Sequence, residues 1–412
     1  MRAIFRTLVI TAFTMMHITA NAQETIKIEP SENIQEILLE ALILAEEGST
    51  IELAEGFYEL SDGLSLDVNN VKIIGAGHDK TILSFKNQQS GSEGLLITSD
   101  NVWLEGFAVE DTPGDAIKSK GVDTITFKNL RVEWTNGPDE NNGAYGLYPI
   151  DNRNVLIDGV IAKGASDAGI YVGQSQNIIV RNSKAEYNVA GIEIENSYYA
   201  DVYDNVAIHN TGGILVFDMP NLPQKGGHSV RVFNNHVVDN NTDNFAPEGN
   251  IVGTVPRGTG ILVMANTHVE VFNNTIVNHD SVSILISAFP KEYNDPTYNP
   301  IPKGIYLHDN VMERSGANPD LDIKRLVEPA TGLPIPQIVW DGAVDGVWAA
   351  LFGPDDAEGI FINEKPGTTF VNMNAVLDMI LPWGASPDMD ITEHSDVYFP
   401  TLKPVKLPQD SQ

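Results

Sequence analysis

The 412-residue sequence contains no cysteine, so no disulfide can hold the fold, and stability has to come from a large packed core. Basic side chains are scarce: 25 Lys and Arg stand against 56 Asp and Glu, a net charge of −31. A field of that sign repels phosphate backbones and anionic lipid, which argues against nucleic-acid partners and favours solubility. Past the first two dozen residues no apolar run approaches the roughly 20 residues that a membrane helix needs. His209, His228, His236, His268, His279 and His308 are scattered, without the paired spacing of a zinc site.

What the sequence does have is a repeat. Val155-Leu156-Ile157-Asp158-Gly159, Ile178-Ile179-Val180-Arg181-Asn182, Val230-Arg231-Val232-Phe233-Asn234 and Val269-Glu270-Val271-Phe272-Asn273 share one form, apolar residues in alternation closed by Gly or Asn. Extended both ways, the pattern gives nine markers: Gly75, Gly106, Asn129, Gly159, Asn182, Asp204, Asn234, Asn273 and Asp309. Thirteen residues before most of them lies a Gly-apolar pair, as at Gly146-Leu147, Gly169-Ile170, Gly191-Ile192 and Gly260-Ile261. Period-two alternation of Val and Ile predicts strands rather than helices. The shortest markers are 22 or 23 residues apart, the length of one coil of a parallel β-helix. The Leu framework of a leucine-rich repeat is missing. The residue after the last four markers is Asn205, Asn235, Asn274 and Asn310, a column expected to form an asparagine ladder from coil to coil.

The coil pattern and the Asn column resemble the right-handed parallel β-helix (pectin-lyase-like) superfamily over about residues 50–312. The fold class this implies is all-β, a single-stranded right-handed parallel β-helix. Such proteins are mostly secreted and act on or bind polysaccharides. Fold alone does not fix activity.

Four regions are expected. Residues 1–22 read as an export signal: Arg2 and Arg6, an apolar run from Leu8 to Met16, then Ala20-Asn21-Ala22. Without Cys there is no lipobox, so the protein is expected to be secreted or periplasmic. Residues 23–49 hold a capping helix over 31–47, with Ile34, Ile37, Leu38, Ala41 and Ala45 on one face to close the open sheet edges. The solenoid runs over 50–312. Insertions fall at about 134–142, 218–227, 240–257 and 288–302, where repeat proteins place binding specificity. Residues 313–412 read as an irregular extension packed on the solenoid. Residues 290–412 hold 15 of the 23 prolines, and Trp340, Trp348 and Trp383 stand among apolar stretches at 347–352 and 376–381 that call for burial.

Period two assigns faces. One outward column reads Lys118, Tyr148, Tyr171, Glu193, Leu215, Leu262, Leu285, and its neighbour Lys120, Ile150, Gly173, Glu195, Phe217, Met264. The first half offers rings as a flat platform for sugar and charged groups for hydrogen bonding or acid–base work. Lys118, Tyr145 and Tyr148 are the candidate catalytic residues. Lys120, Trp134, Tyr171, Glu193 and Glu195 are candidate substrate contacts. The greasy second half is expected to lie under the C-terminal extension or the 218–227 loop, and the column Tyr203, Phe233, Phe272 and His308 under the tail. Glu133, Asp139 and Glu140, with Asn141 and Asn142, form a loop of oxygen ligands that calcium would accept.

Ala144-Tyr145-Gly146-Leu147-Tyr148-Pro149-Ile150 resembles the Tyr-Gly-Phe-Asp-Pro-His segment of mannuronan C5-epimerases. Tyr145, Gly146 and Pro149 match, whereas the family's acid and histidine positions hold Tyr148 and Ile150. The resemblance implies proton abstraction beside a uronate carboxylate, here with Tyr145 or Tyr148 and Lys118 as acid and base. The Gly-His-Gly and Arg-Ile-Lys signatures of polygalacturonases are absent. The blocks 167–175 and 188–196 also resemble exported bacterial parallel β-helix repeat proteins, which implies a co-exported protein partner. Two functions are thus expected: action on a polysaccharide, with a polyuronate foremost, or a non-catalytic envelope scaffold that docks a protein.

Overall fold

The computed structural model describes residues 25–353, 358–381, 384–395 and 401–411. The expected export signal and Trp383 lie outside these residues. Strands of β-branched residues stack into three parallel sheets of 12, 11 and 10 strands. Along the body of the solenoid each coil contributes one strand to each sheet. Tyr145–Ile150 joins the 11-stranded sheet, Arg153–Asp158 the 12-stranded and Ile161–Lys163 the 10-stranded, and Ala168–Gly173 then opens the next coil. Register holds along the solenoid: Leu147, Ile170, Ile192, Ile214, Ile261 and Ile284 pair in turn, all fully buried in one continuous core. The architecture is the expected all-β parallel β-helix.

Eight of the nine repeat markers are corner residues in the left-handed region, Gly75 ending a strand instead. Gly106, Asn129, Gly159, Asn182, Asp204, Asn234, Asn273 and Asp309 have φ between 49° and 73°. Only Gly, Asn and Asp adopt that conformation readily, which is why the pattern closes on them. The expected ladder is present: the Asn205, Asn235 and Asn274 side-chain amides each donate to the next Asn Oδ1 at 3.0 Å, and Asn310 donates to Glu364 Oε1 at 2.6 Å. A second ladder, not foreseen, runs Asn188, Asn210, Asn240 and His279 at 2.9–3.1 Å. It also explains the Gly of the Gly-apolar pair. A Cβ at Gly191 would lie 2.8 Å from the Asn210 amide nitrogen and 2.5 Å from Gly213 O. Burial pushes the His279 imidazole down to about 3, so it ends the ladder as a neutral ring.

The N-terminal cap is a strand, Thr25–Ile28, that pairs with Thr50–Leu53, followed by α1 (Ile34–Leu44). The helix buries Ile34, Leu38, Ala41 and Leu42, whereas Ile37 is 39 % exposed. Leu42 thus takes the place expected of Ile37, because it follows Leu38 by one helical turn.

Winding does not stop at Met312. Ile338–Trp340 and Phe370–Asn372 extend the 11-stranded sheet, and Ile360–Asn363 extends the 12-stranded sheet. The repeat is illegible there because α2 (Leu321–Thr331) and α3 (Gly346–Phe352) are spliced into the coils. The expected burial of the 347–352 and 376–381 stretches is not observed: Val347, Trp348, Leu351 and Met379 are 47–84 % exposed. The greasy column is covered by α2 of the expected extension, and by the 240–257 and 288–302 insertions rather than the 218–227 loop. Leu215, Phe217, Leu262, Met264 and Leu285 form a second core with Val252, Val255 and Tyr298 of the insertions and Ile323 and Val327 of α2. Tyr203, Phe233, Phe272 and His308 stack at 4.8–4.9 Å, and residues 401–411 return alongside them.

Candidate functional site

Strands Asp115–Lys120, Tyr145–Ile150, Ala168–Gly173 and Ala190–Glu195 lie side by side in the 11-stranded sheet. Register pairs Lys118 with Tyr148, Tyr171 with Glu193, and Gly173 with Glu195, so the two expected columns exist on its outer face. Tyr145 joins them by a slip in the alternation. A Cβ at Gly146 would meet the Val132 side chain at 2.8 Å, and Leu147 is fully buried, so two successive residues face the core. Tyr145 is thereby turned outward. Its ring centroid lies 4.3 Å from Tyr148 and 4.7 Å from Tyr171, with Tyr148 and Tyr171 edge-on at 5.0 Å.

Lys118 borders this trio. Its Nζ sits 4.7 Å from the Tyr148 ring centroid, 3.0 Å from Glu93 Oε1 and 3.5 Å from Asp115 Oδ2. Burial pushes the Asp115 carboxyl up to about 6, against the pull of Lys118, and Tyr145 N–H donates to it. On the other side lies a carboxyl cluster. Tyr171 OH donates to Glu195 Oε1 at 2.7 Å, and Tyr145 OH to Asp167 Oδ2 at 3.4 Å. The Tyr171 ring folds over Gly173 to get there, since a Cβ at 173 would stand 2.2 Å from the phenol oxygen. Glu193 and Glu195 hydrogen-bond each other. Burial pushes Glu195 and Asp167 up to about 7 and Glu193 well above the usual carboxylate range; Glu195 raises Asp167 further, and Asp167 and Glu195 raise Glu193. Asp218 is raised to about 6 by burial, although the Gly226 and Gly227 N–H groups donate to it.

These environments reassign several expected roles. Burial holds the Tyr145 and Tyr171 phenols well above their usual range and Tyr148 up to about 12. They are protonated near neutral pH. Tyr171, Glu193 and Glu195 are 2–4 % exposed, beneath the surface rather than on it. The accessible part of the face is Lys118, Tyr145, Tyr148 and Ile150, with Lys120 exposed in the next column. Trp134 is not a substrate contact: it is 3 % exposed in the solenoid core, with Nε1 donating to Thr112 O at 2.7 Å.

In the loop read as a calcium site, two of the carboxyls have partners within the protein. Glu133 accepts from Arg131 at 2.6 Å and Lys163 at 2.9 Å, and Asp139 accepts from the backbone and side chain of Asn141. Glu140 does not join them in a ligand set, for among the described residues no three His, Asp or Glu side chains are placed to hold a metal ion. Asp115, Asp167 and Glu93 were not singled out in the sequence. Asp115 stands three residues before Lys118 on the same strand with Glu93 beside it in register, whereas Asp167 sits in a corner whose shape no periodicity reveals.

The model for the right handed beta helix region matches residues 115–293. No curated protein sequence matches the chain. Among solved structures, the A-module of the Azotobacter vinelandii mannuronan C-5 epimerase AlgE6 is 14 % identical, with 81 % of this chain and 90 % of that chain covered at a TM-score of 0.47. An alginate lyase from Paenibacillus sp. is 16 % identical over 70 % of this chain and 95 % of that one, at 0.44. A Yersinia enterocolitica family 28 exopolygalacturonase is 12 % identical over 83 % and 71 %, at 0.45. Among the described residues no helix is long and apolar enough to cross a membrane. The chain is an all-β protein wound as a right-handed parallel β-helix.

Proposed function

We propose that the protein binds an extracellular polysaccharide across Tyr145, Tyr148 and Lys118, and that the polymer is a polyuronate from which a proton is removed beside the carboxylate. The observation that carries this reading is the setting of Lys118, 3.5 Å from a carboxyl group raised to about 6 and 4.7 Å from the ring of a neutral phenol. Abstraction of that proton needs a base, a cation to offset the sugar carboxylate and an acid across the ring. Asp115 supplies the base, a role that the sequence left open between a tyrosine and Lys118. Lys118 supplies the cation and the protonated Tyr148 hydroxyl the acid. The tyrosine faces supply the apolar platform.

The test is solvent-deuterium incorporation into a panel of polyuronates, read by NMR, with calcium and with chelator. Exchange at the carbon beside the carboxylate is expected, rising with pH through about 6 as Asp115 ionises. Asp115→Asn should lower it at least about 100-fold. Tyr148→Ala should weaken polymer binding roughly tenfold through loss of the platform. Binding without exchange would limit the function to recognition; neither binding nor exchange on any polymer would sink the reading.

A further inference from the structure

The outer face of the 12-stranded sheet carries a feature remote in sequence from the tyrosine face. Residues 401–411 run along the solenoid axis, back across successive coils. Leu402 N–H donates to Glu270 Oε2 at 2.9 Å, and Val405 N–H to Asp201 Oδ2 at 3.0 Å. Leu407 is buried against Leu156 and Ile179, and the Gln409 side-chain amide reaches Asn154 O at 2.8 Å. From Leu402 to Val405 the segment crosses two coil spacings, about 9.6 Å at the usual strand separation, or about 3.2 Å per residue. That is extended chain, which Pro404 and Pro408 favour.

The face is built to receive such a segment. Asp201 and Glu270 are 3 % and 2 % exposed in the presence of the segment. Asp201 is clamped by Arg231 at 2.8 and 2.7 Å, and Glu270 is contacted by His308 at 3.2 Å, which leaves oxygens aimed at the incoming N–H groups. The segment also differs from the rest of the chain in charge. Residues 401–409 carry Lys403 and Lys406 and no acid, whereas the whole protein has a net charge of −31. Its side chains sort accordingly, with Leu407 inward and both lysines exposed.

We propose that this face is a binding groove for an extended, cationic, proline-bearing peptide segment of a partner protein, and that residues 401–409 are its resident occupant. This goes beyond the polysaccharide reading and uses none of its residues. Recognition would combine main-chain N–H groups given to Asp201 and Glu270 with an apolar side chain lodged on Leu156 and Ile179. The tethered segment competes at an effective concentration on the order of millimolar, so weaker peptides are excluded and a better-matched partner displaces it.

Fluorescence anisotropy with a labelled peptide of the 401–411 sequence tests this on the full chain. Leu407→Asp sets a charge against Leu156 and Ile179 and releases the segment. That variant should bind the peptide at least tenfold more tightly than the wild-type chain does, and a peptide with both lysines changed to Glu should bind at least tenfold more weakly. Equal binding to variant and wild type overturns the proposal, as does no binding to a variant whose thermal unfolding matches wild type. In the unmodified chain, the Leu402 and Val405 amides should exchange at least 100-fold more slowly than in the free peptide. Exchange at the free-peptide rate also overturns it. A dimer formed by trading the segment between copies would assign the groove to a second copy instead of a partner.

Discussion

Replacing Glu193 and Glu195 together by Gln is expected to stabilise the protein markedly at pH 8 and to leave it almost unchanged at pH 4. Both carboxyls are buried and hydrogen-bonded to each other, with Glu195 raised to about 7 and Glu193 well above the usual range. In the unfolded chain they titrate at about 4.3. Between those values the folded protein holds protons that the unfolded chain releases, so stability is greatest below about 4.3 and falls as pH rises toward 7 and beyond. A shift from about 4.3 to about 7 corresponds to roughly 4 kcal/mol for one group. Asp167, raised to about 7, carries the same sign. Carboxylates held below their ordinary range, such as Glu93 and Glu133, act in the opposite sense, but their contribution is lost only as pH falls beneath about 4.3, outside this window. Gln cannot ionise, yet its side-chain oxygen can still accept from Tyr171. Urea unfolding of both proteins from pH 4 to 8 measures the effect. Parallel stability curves would show that the cluster does not titrate as described.

The second large effect is expected in the ladder. Asn274 Oδ1 accepts from the backbone and side chain of Asn235, both at 3.0 Å, while its Nδ2 donates to Val232 O at 2.9 Å and Asn310 Oδ1 at 3.0 Å. Asn274→Leu breaks all four and strands their partners, in a column where Asn235 and Asn310 are 1–2 % exposed. At about 1–1.5 kcal/mol for each bond lost, destabilisation of roughly 4–6 kcal/mol follows. The residue before it provides the control. Asn273 stands at φ 54° on the outside of the corner, a conformation that Gly accepts freely, so Asn273→Gly should cost only a few tenths of a kcal/mol. If the two variants unfold at the same urea concentration, the ladder is not what holds the corner.

The contrast between these two asparagines shows what the sequence makes legible. Periodic features leave a trace in every coil, so Gly159, Asn182 and Asn273 announced their corners and Asn205 to Asn310 their ladder. The second ladder is hidden because it follows none of the nine corner markers and changes residue type at His279. Similarly, the columns of Lys118 and Tyr148 followed from alternation alone. Tyr145 did not, since one local slip at Gly146 reverses its direction. Trp134 was misplaced for a related reason: a residue at the edge of an insertion can finish the core as readily as line a groove. Burial of the carboxyl cluster depends on the Tyr171 and Tyr145 side chains that reach over to it, a placement that only three-dimensional packing fixes.

The segment over 401–411 has a further consequence, in the order of assembly. Successive coils join residues a few tens of positions apart, such as Asn182 to Asp158 at 24 and Asn274 to Asn235 at 39. Such closures are entropically modest, and each can form on the one before it. Val405 instead meets Asp201 across 204 positions, and Gln409 meets Asn154 across 255. Its landing strip, from Glu270 back to Asn154, belongs to separate coils and does not exist until those coils have stacked in register. Docking of this segment is therefore a readout of completion: a solenoid with a coil out of register presents Glu270, Asp201 and Leu156 at the wrong intervals for one extended peptide to reach all three.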